Sequence, residues 1–373
     1  MQLATSLQQD ESPARAEAAE TGTLMLRVVE CFTGGVGSEV IRLLDGHPNL
    51  ALVGVLVHSE DKEELDAGEL VGGTANSVRT TRNLGDILRL KPDCAIWMGK
   101  GWQPDVLSQL LRAGINVYAP IGAWYLPGDP YFDQLESACV EGGATLVGGG
   151  SIPGLISDVL PLFLSGYVGR IQQIRAYQNN MVGGYPSATQ LRDGLGFGAP
   201  IPDPVAIGDN PVDQKWIRYI TQSARMIADA LSIDFDRLEL TSKEFVAAHQ
   251  DTTLISGLLL QKGTAAGVRW TFTAYSHDRS FYTLIKEQTA VVGLGPGWRE
   301  SLEEPQWRVE IDGTPSLKCA LSSSASEGLG VATVQLNAAR AVNLVPQIVA
   351  AAPGCKSVLD FPAATGTAAA WPS

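Results

Sequence analysis

From Leu24 to Cys31 the chain runs through a short β-type stretch, and Gly34 and Gly35 follow it. Val40, Ile41, Leu43 and Leu44 then predict a short helix. Leu50 to Val57 is almost wholly apolar, as expected of a strand buried on both faces of a parallel sheet. The alternation continues with a helix over Asn83–Leu90, a strand at Cys94–Trp97 and a helix over Pro104–Ala113 with proline in its first turn. A strand at Ile115–Ala119, a helix over Tyr131–Glu141 and a strand at Ala144–Val147 complete it. Strands alternating with helices in this way predict βαβ units and a doubly wound parallel sheet, an α/β fold of Rossmann type.

After Gly150 the rhythm changes. A helix from Gly154 to Leu164 leads into a strand at Gly169–Tyr177, and residues 178–212, rich in Gly, Pro and Asn, read as a long loop. Such a loop inside a compact domain is usually functional. An amphipathic helix over Val212–Leu231 precedes four strand candidates: Leu238–Gln250, Leu254–Tyr275, Ser280–Val292 and Trp307–Leu321. These predict a mostly antiparallel sheet and hence an α+β domain. A last helix over Val331–Ala352 stops at Pro353-Gly354. The expected division is a tail at 1–23, a dinucleotide domain at 24–152, a substrate and dimerisation domain at 153–330, and a C-terminal helix and tail at 331–373.

Composition narrows the function. The 373 residues carry 40 acidic and 27 basic side chains, a net charge of −13. That argues against nucleic acid as the main partner, because affinity for its backbone comes from clustered Lys and Arg. The first 23 residues are polar and acidic, unlike a signal peptide, and no apolar run is long enough to span a bilayer. The expectation is a cytoplasmic protein with no membrane contact. The five cysteines are scattered and odd in number, which predicts neither a disulfide framework nor a metal site.

The turn Phe32-Thr33-Gly34-Gly35-Val36-Gly37 joins the first strand to the first helix. A GxGxxG fingerprint would fall on Phe32, Gly34 and Gly37, so its first glycine is replaced. Gly34 would let the backbone approach a pyrophosphate, Gly37 would permit close helix–strand packing, and the helix N-terminus faces the anion. The second strand ends before His58, Ser59 and Lys62, where an NAD site carries its ribose-reading acid. Small polar and basic groups suit a 2′-phosphate better, so NADP(H) is favoured over NAD(H). Further cofactor contacts are expected at the carboxyl ends of later strands: Met98, Gly99, Lys100, Ala119, Pro120 and Gly150.

Taken together, the segments FTGGVGSEV, LVGVLVHSEDKEELDAGELVG, INVYAP, GGGSIPGLISDVLPLFLSG and ARAVNLVPQIVAAAPG resemble one family. It carries a dihydrodipicolinate-reductase-type N-terminal domain and includes 2,4-diaminopentanoate dehydrogenase and the native amine dehydrogenases. The likeness is to its actinobacterial branch and spans roughly residues 25–365. The resemblance implies a homodimer, a C-terminal helix returning to the Rossmann domain, and hydride transfer from NAD(P)H to a C=N or C=O carbon. It also implies that Asn343 lies near the cofactor. Amine dehydrogenases of the group carry an acid just after the fifth strand, and Ala119–Trp124 has none, which argues against amination with free ammonia.

Reduction needs a proton donor within reach of the reacting heteroatom. The candidates are Tyr125, Tyr177 and Asn179 for catalysis, with Lys100 and Asn180 beside them. Tyr118, Trp124 and Gln178 are candidates for a substrate pocket. His249 is expected to be a satisfied buried histidine. The function expected is an NAD(P)H-dependent oxidoreductase acting on a small to medium apolar molecule. A ketone/alcohol dehydrogenase and a non-catalytic dinucleotide sensor are the alternatives.

Overall fold

The computed structural model describes residues 25–185, 187–324 and 329–366. The expected tail at 1–23 lies outside them. Two sheets organise the described chain. The first is parallel, with strands β1 (Leu26–Cys31), β2 (Leu50–Leu56), β3 (Thr80–Thr81), β4 (Cys94–Trp97), β5 (Asn116–Tyr118), β6 (Thr145–Val147) and β15 (Gly354–Lys356). Their order is β15-β6-β5-β4-β1-β2-β3, so the winding reverses between β4 and β1. That switch point is where open α/β sheets bind ligands.

Strand parity sorts the side chains between two helical layers. Val28, Ile96 and Tyr118 face α1 (Gly35–Leu44) and the last helix, α8 (Leu329–Ala350). Val29, Ala95 and Val117 face α3 (Leu84–Leu90), α4 (Pro104–Arg112) and α5 (Phe132–Gly142). A further short helix, α2 (Ala67–Leu70), precedes β3. Neither β3 nor β15 was expected: the two threonines of β3 make no apolar run, and the proline–glycine stop after α8 reads as an end when it is in fact a return to the sheet.

The second sheet holds β7 (Gly169–Met181), β8 (Arg237–Ala247), β11 (Ala265–Ser276), β12 (Arg279–Thr289), β13 (Trp307–Thr314) and β14 (Leu317–Leu321), in the order β14-β13-β7-β12-β11-β8. Its pairs are antiparallel except β12 with β7, which is parallel. Two expected strands are shorter than their apolar runs. Trp307–Leu321 breaks at Pro315 into a hairpin, and Leu254–Tyr275 begins with the small pair β9 (Thr252–Thr253) and β10 (Leu259–Leu260). β7 also runs on to Met181, so the long loop starts later than expected. His249 lies exposed just beyond β8, not buried on a strand.

One face of this sheet is apolar. Ile174, Ala176, Trp270, Phe272, Leu284 and Val309 pack against Ile220, Ala224 and Ile227 of α7 (Pro211–Ala230) and against the π-turn at Leu155–Val159. The short helix α6 (Leu160–Ser165) follows that turn. The other face carries paired charges: Arg269 with Glu287, Arg308 with Glu310, and Arg175 with Asp312. Along a strand neighbours alternate faces, and that parity decides the site.

Candidate active site

The β1–α1 turn is shaped for a phosphate. Gly34 caps α1 with extended backbone, no side chain caps the helix, and its first turn carries no acid. The first N–H groups of the helix have no internal acceptor and lie at its positive end. Nothing lies within 4 Å of where a Cβ on Gly34 would stand. At Gly37 the opposite holds: a Cβ would sit 2.0 Å from the Phe32 carbonyl oxygen and 2.6 Å from Glu30 Oε1. One glycine opens the turn to a ligand and the other closes it onto β1. Phe32 takes φ 81°, the left-handed conformation for which glycine is usual, and its ring packs edge-on against Trp97 at 5.0 Å. Beneath the turn Glu30 is wholly buried with neither carboxylate oxygen paired, and burial pushes its carboxyl well up.

Past β2, His58, Glu60 and Asp61 are exposed and Ser59 is half-buried. Lys62 folds back over the turn, donating to Thr33 Oγ1 at 3.0 Å. Beyond β4 and β5, Met98 and Pro120 are half-buried, Gly99 and Ala119 are buried, and Lys100 is exposed.

Tyr118 does not line a pocket. Its parity turns it towards α8, its hydroxyl donates to Gly149 O at 2.7 Å, and burial raises its pKa. On α8, Asn337 and Asn343 both border the loop after β6. Asn337 Oδ1 accepts from Ser151 N at 2.8 Å beside Gly150. Asn343, nearly two turns further along, lines one cleft with Gly149, Gly150 and Arg340 and another with His47 and Gln347 near the start of β2.

The three expected catalytic residues are not brought together. Tyr125 is turned to the C-terminal part of α7, where its hydroxyl bonds to Asp229. Burial, and then that carboxylate, raise its pKa. Tyr177 and Asn179 lie on the charged face of β7, away from α7. Tyr177 donates to Glu310 at 3.2 Å under the Arg308 guanidinium, and both residues line a 590 Å³ depression with Arg269 and Trp298. A one-residue step in parity separates them from the covered face.

Gln178 is on that covered face. Its Oε1 accepts from Lys286 Nζ at 3.0 Å, and Lys286 sits 4.4 Å from the Trp216 ring and 5.9 Å from Trp270. Trp270 donates to Asp213, which also holds Lys243 at 2.9 Å. Burial alone pushes the Lys286 ammonium down to about 7. Sequence reasoning missed Lys286. Its signal was present: a lysine continuing the inward series Tyr282, Leu284.

Trp124 is buried against Tyr219 at 4.8 Å, and Tyr219 is 6.2 Å from Trp216. Gln222 of α7 holds this loop: its Oε1 accepts from Trp124 N and Tyr125 N, and its Nε2 donates to Gly122 O. The loop after β5 is thus linked through aromatic rings to Lys286.

A switch-point crevice, an open glycine turn on a helix N-terminus and a second sheet beside them define an NAD(P)-dependent oxidoreductase. Comparison with known proteins agrees. Residues 155–371 match the model of the 2,4-diaminopentanoate dehydrogenase C-terminal domain, and the chain belongs to this family. It is 27% identical over 358 residues to an amine dehydrogenase of Streptomyces virginiae, covering 91% of this chain and 96% of that one. An amine dehydrogenase structure from Mycobacterium smegmatis superposes with a TM-score of 0.74 at 20% identity, over 92% of this chain and 97% of the other. A scyllo-inositol dehydrogenase from Lactobacillus casei, solved with NAD(H) and scyllo-inositol, shares the fold with a TM-score of 0.52 at 14% identity, over 87% and 89%.

Proposed function

We propose that this chain reduces a C=N or C=O carbon of a small to medium apolar substrate, with NADP(H) preferred over NAD(H). The observation that carries the reading is the pairing of an open Gly34 with a closed Gly37 at an uncapped helix N-terminus. The N–H groups of Gly35, Val36 and Gly37 would hold the pyrophosphate. Lys62 and Thr33, with Ser59 and His58 beside them, would take the adenosine ribose and its 2′-phosphate. Met98–Lys100, Ala119–Pro120 and Gly150 would border the other half. When bound, the reduced dinucleotide supplies a hydride. The amine dehydrogenase names of the relatives support a C=N acceptor, and the absence of an acid from Ala119–Trp124 supports C=O.

The reading goes with residues 24–152 for the dinucleotide and 153–330 for the substrate. It also goes with a homodimer formed on the charged face of the second sheet, and with a reducing cytoplasm that leaves all five thiols free. Fluorescence titration with NADPH and NADH, followed by oxidation at 340 nm with a panel of ketones with and without ammonium or methylamine, tests the proposal. Tight binding of NADPH and turnover with some acceptor support it. Binding without turnover over a broad panel favours a dinucleotide sensor. No binding overturns both. A single-chain mass by light scattering overturns the dimer.

A further inference from the structure

The inner face of the second sheet is apolar over most of its length and polar at one end. Gln178 and Asn180 of β7 and Lys286 and Gln288 of β12 all point inward there, each 3–7% exposed. Burying four polar side chains beside an apolar core is costly unless each is hydrogen-bonded. They are not all satisfied. Asn180 Oδ1 is buried without a partner, and the three N–H donors of Lys286 have Gln178 as their one acceptor among the described residues.

The sheet meets the dinucleotide side through α8, whose Leu336 packs against its apolar core. Gln178 pairs with Trp307, Trp307 pairs with Leu321, and the chain passes from there to α8. The opening turns of α8 touch both dinucleotide-side loops: Val334 lies 3.8 Å from the Cβ position of Gly35, and Asn337 holds Ser151. From the other side the ring series Trp124, Tyr219, Trp216 reaches Lys286 from the loop after β5.

We propose that Lys286 is the proton donor to the substrate heteroatom, and that this atom is a carbonyl oxygen. The inference rests on the hydride-transfer reading above and chooses within it. The carbonyl carbon gains a hydride and forms a C–H bond. The C=O π pair moves onto oxygen, and the oxygen takes a proton from Nζ, leaving Lys286 a neutral amine and an alcohol as product. The dinucleotide is oxidised in the same step, and solvent reprotonates the amine. An ammonium facing a growing alkoxide stabilises it. Facing a protonated imine, it would set two like charges together in a buried site, which disfavours amination.

The charged groups packed around Lys286 fit this role. Asp213 and Lys243 neutralise each other across the Trp270 ring. Glu287 and Arg299 belong to the opposite face of the strand and bond there. No carboxylate salt-bridges Lys286 among the described residues, and burial pushes its ammonium down to about 7, close to where a general acid works best.

The test is ketone reduction by the full chain with NADPH, with and without ammonium, for wild type, Lys286→Met and Lys286→Arg. The expected result is ammonium-independent reduction whose kcat falls as pH rises through about 7. K286M, which keeps the side-chain volume between the two rings, is expected to bind NADPH as wild type does and to lose kcat about hundredfold or more. K286R is expected to keep part of the activity and to lose the falling limb. Binding of isobutyramide, an unreactive carbonyl analogue, to the dinucleotide complex is expected to weaken about tenfold in K286M, read by calorimetry. Turnover only with ammonium, or an unchanged pH profile and amide affinity in K286M, overturns this assignment alone. No dinucleotide oxidation with any acceptor overturns it together with the hydride-transfer reading.

Discussion

The ammonium of Lys62 reaches back across 29 residues of sequence to the hydroxyl of Thr33, 3.0 Å away, on the rim of the glycine turn. It places a cation beside the second strand end, where a 2′-phosphate would lie. Lys62→Ala is expected to weaken NADPH about tenfold and NADH much less, measured by fluorescence titration at low and moderate salt. Equal losses for both dinucleotides would contradict a 2′-phosphate role.

Gly34 and Gly37 differ in what surrounds them, so the same substitution has opposite signatures. Gly37→Ala drives a methyl into the Phe32 carbonyl and is expected to destabilise the fold by about 2–3 kcal/mol. Gly34→Ala meets open space at φ −73° and is expected to leave thermal stability nearly unchanged while weakening dinucleotide binding. Thermal melts with and without NADPH separate the two.

Gln222 satisfies three backbone groups of the loop after β5, at 2.9–3.0 Å. Gln222→Leu keeps the volume but leaves those groups unpaired. The expected cost is about 2–4 kcal/mol, since each buried unsatisfied group costs about 1–3 and the loop relaxes in part. A shift in the urea midpoint with an unchanged slope checks it.

Asp158 is wholly buried on the π-turn, where its Oδ2 accepts from Gly154 N, Ser157 Oγ and Ser223 Oγ. Burial outweighs these bonds and pushes its carboxyl up to about 6. Because the folded value lies above the unfolded one, its contribution to stability is full below about pH 4 and is lost as pH rises through about 6. The expected loss is on the order of 2–3 kcal/mol. Asp158→Asn removes this decline, which urea titrations of both proteins at pH 4.5 and 7.5 would show as a difference of differences.

Much of the first sheet was legible because β2 and β4 are continuous apolar runs and β1 and β6 lead into glycine-rich turns. β15 was not, because three residues of ordinary composition become a strand only when β6 is beside them. In the second sheet the apolar runs were visible but their breaks were not: Trp307–Leu321 reads as one strand until Pro315 turns it.

The sequence by itself determined the class of this protein. The β–turn–α order and the spacing of Gly34 and Gly37 are local, so dinucleotide chemistry could be read from a few adjacent residues. The grouping of the polar side chains on the second sheet was decided only by tertiary structure. Tyr177 and Gln178 are neighbours in the chain, yet one faces Glu310 and the other Lys286. Which of them is buried depends on which side of the sheet α7 covers, a long-range packing choice with no local signature. Tyr125 shows the same limit, since Asp229, which holds its hydroxyl, lies 104 residues away.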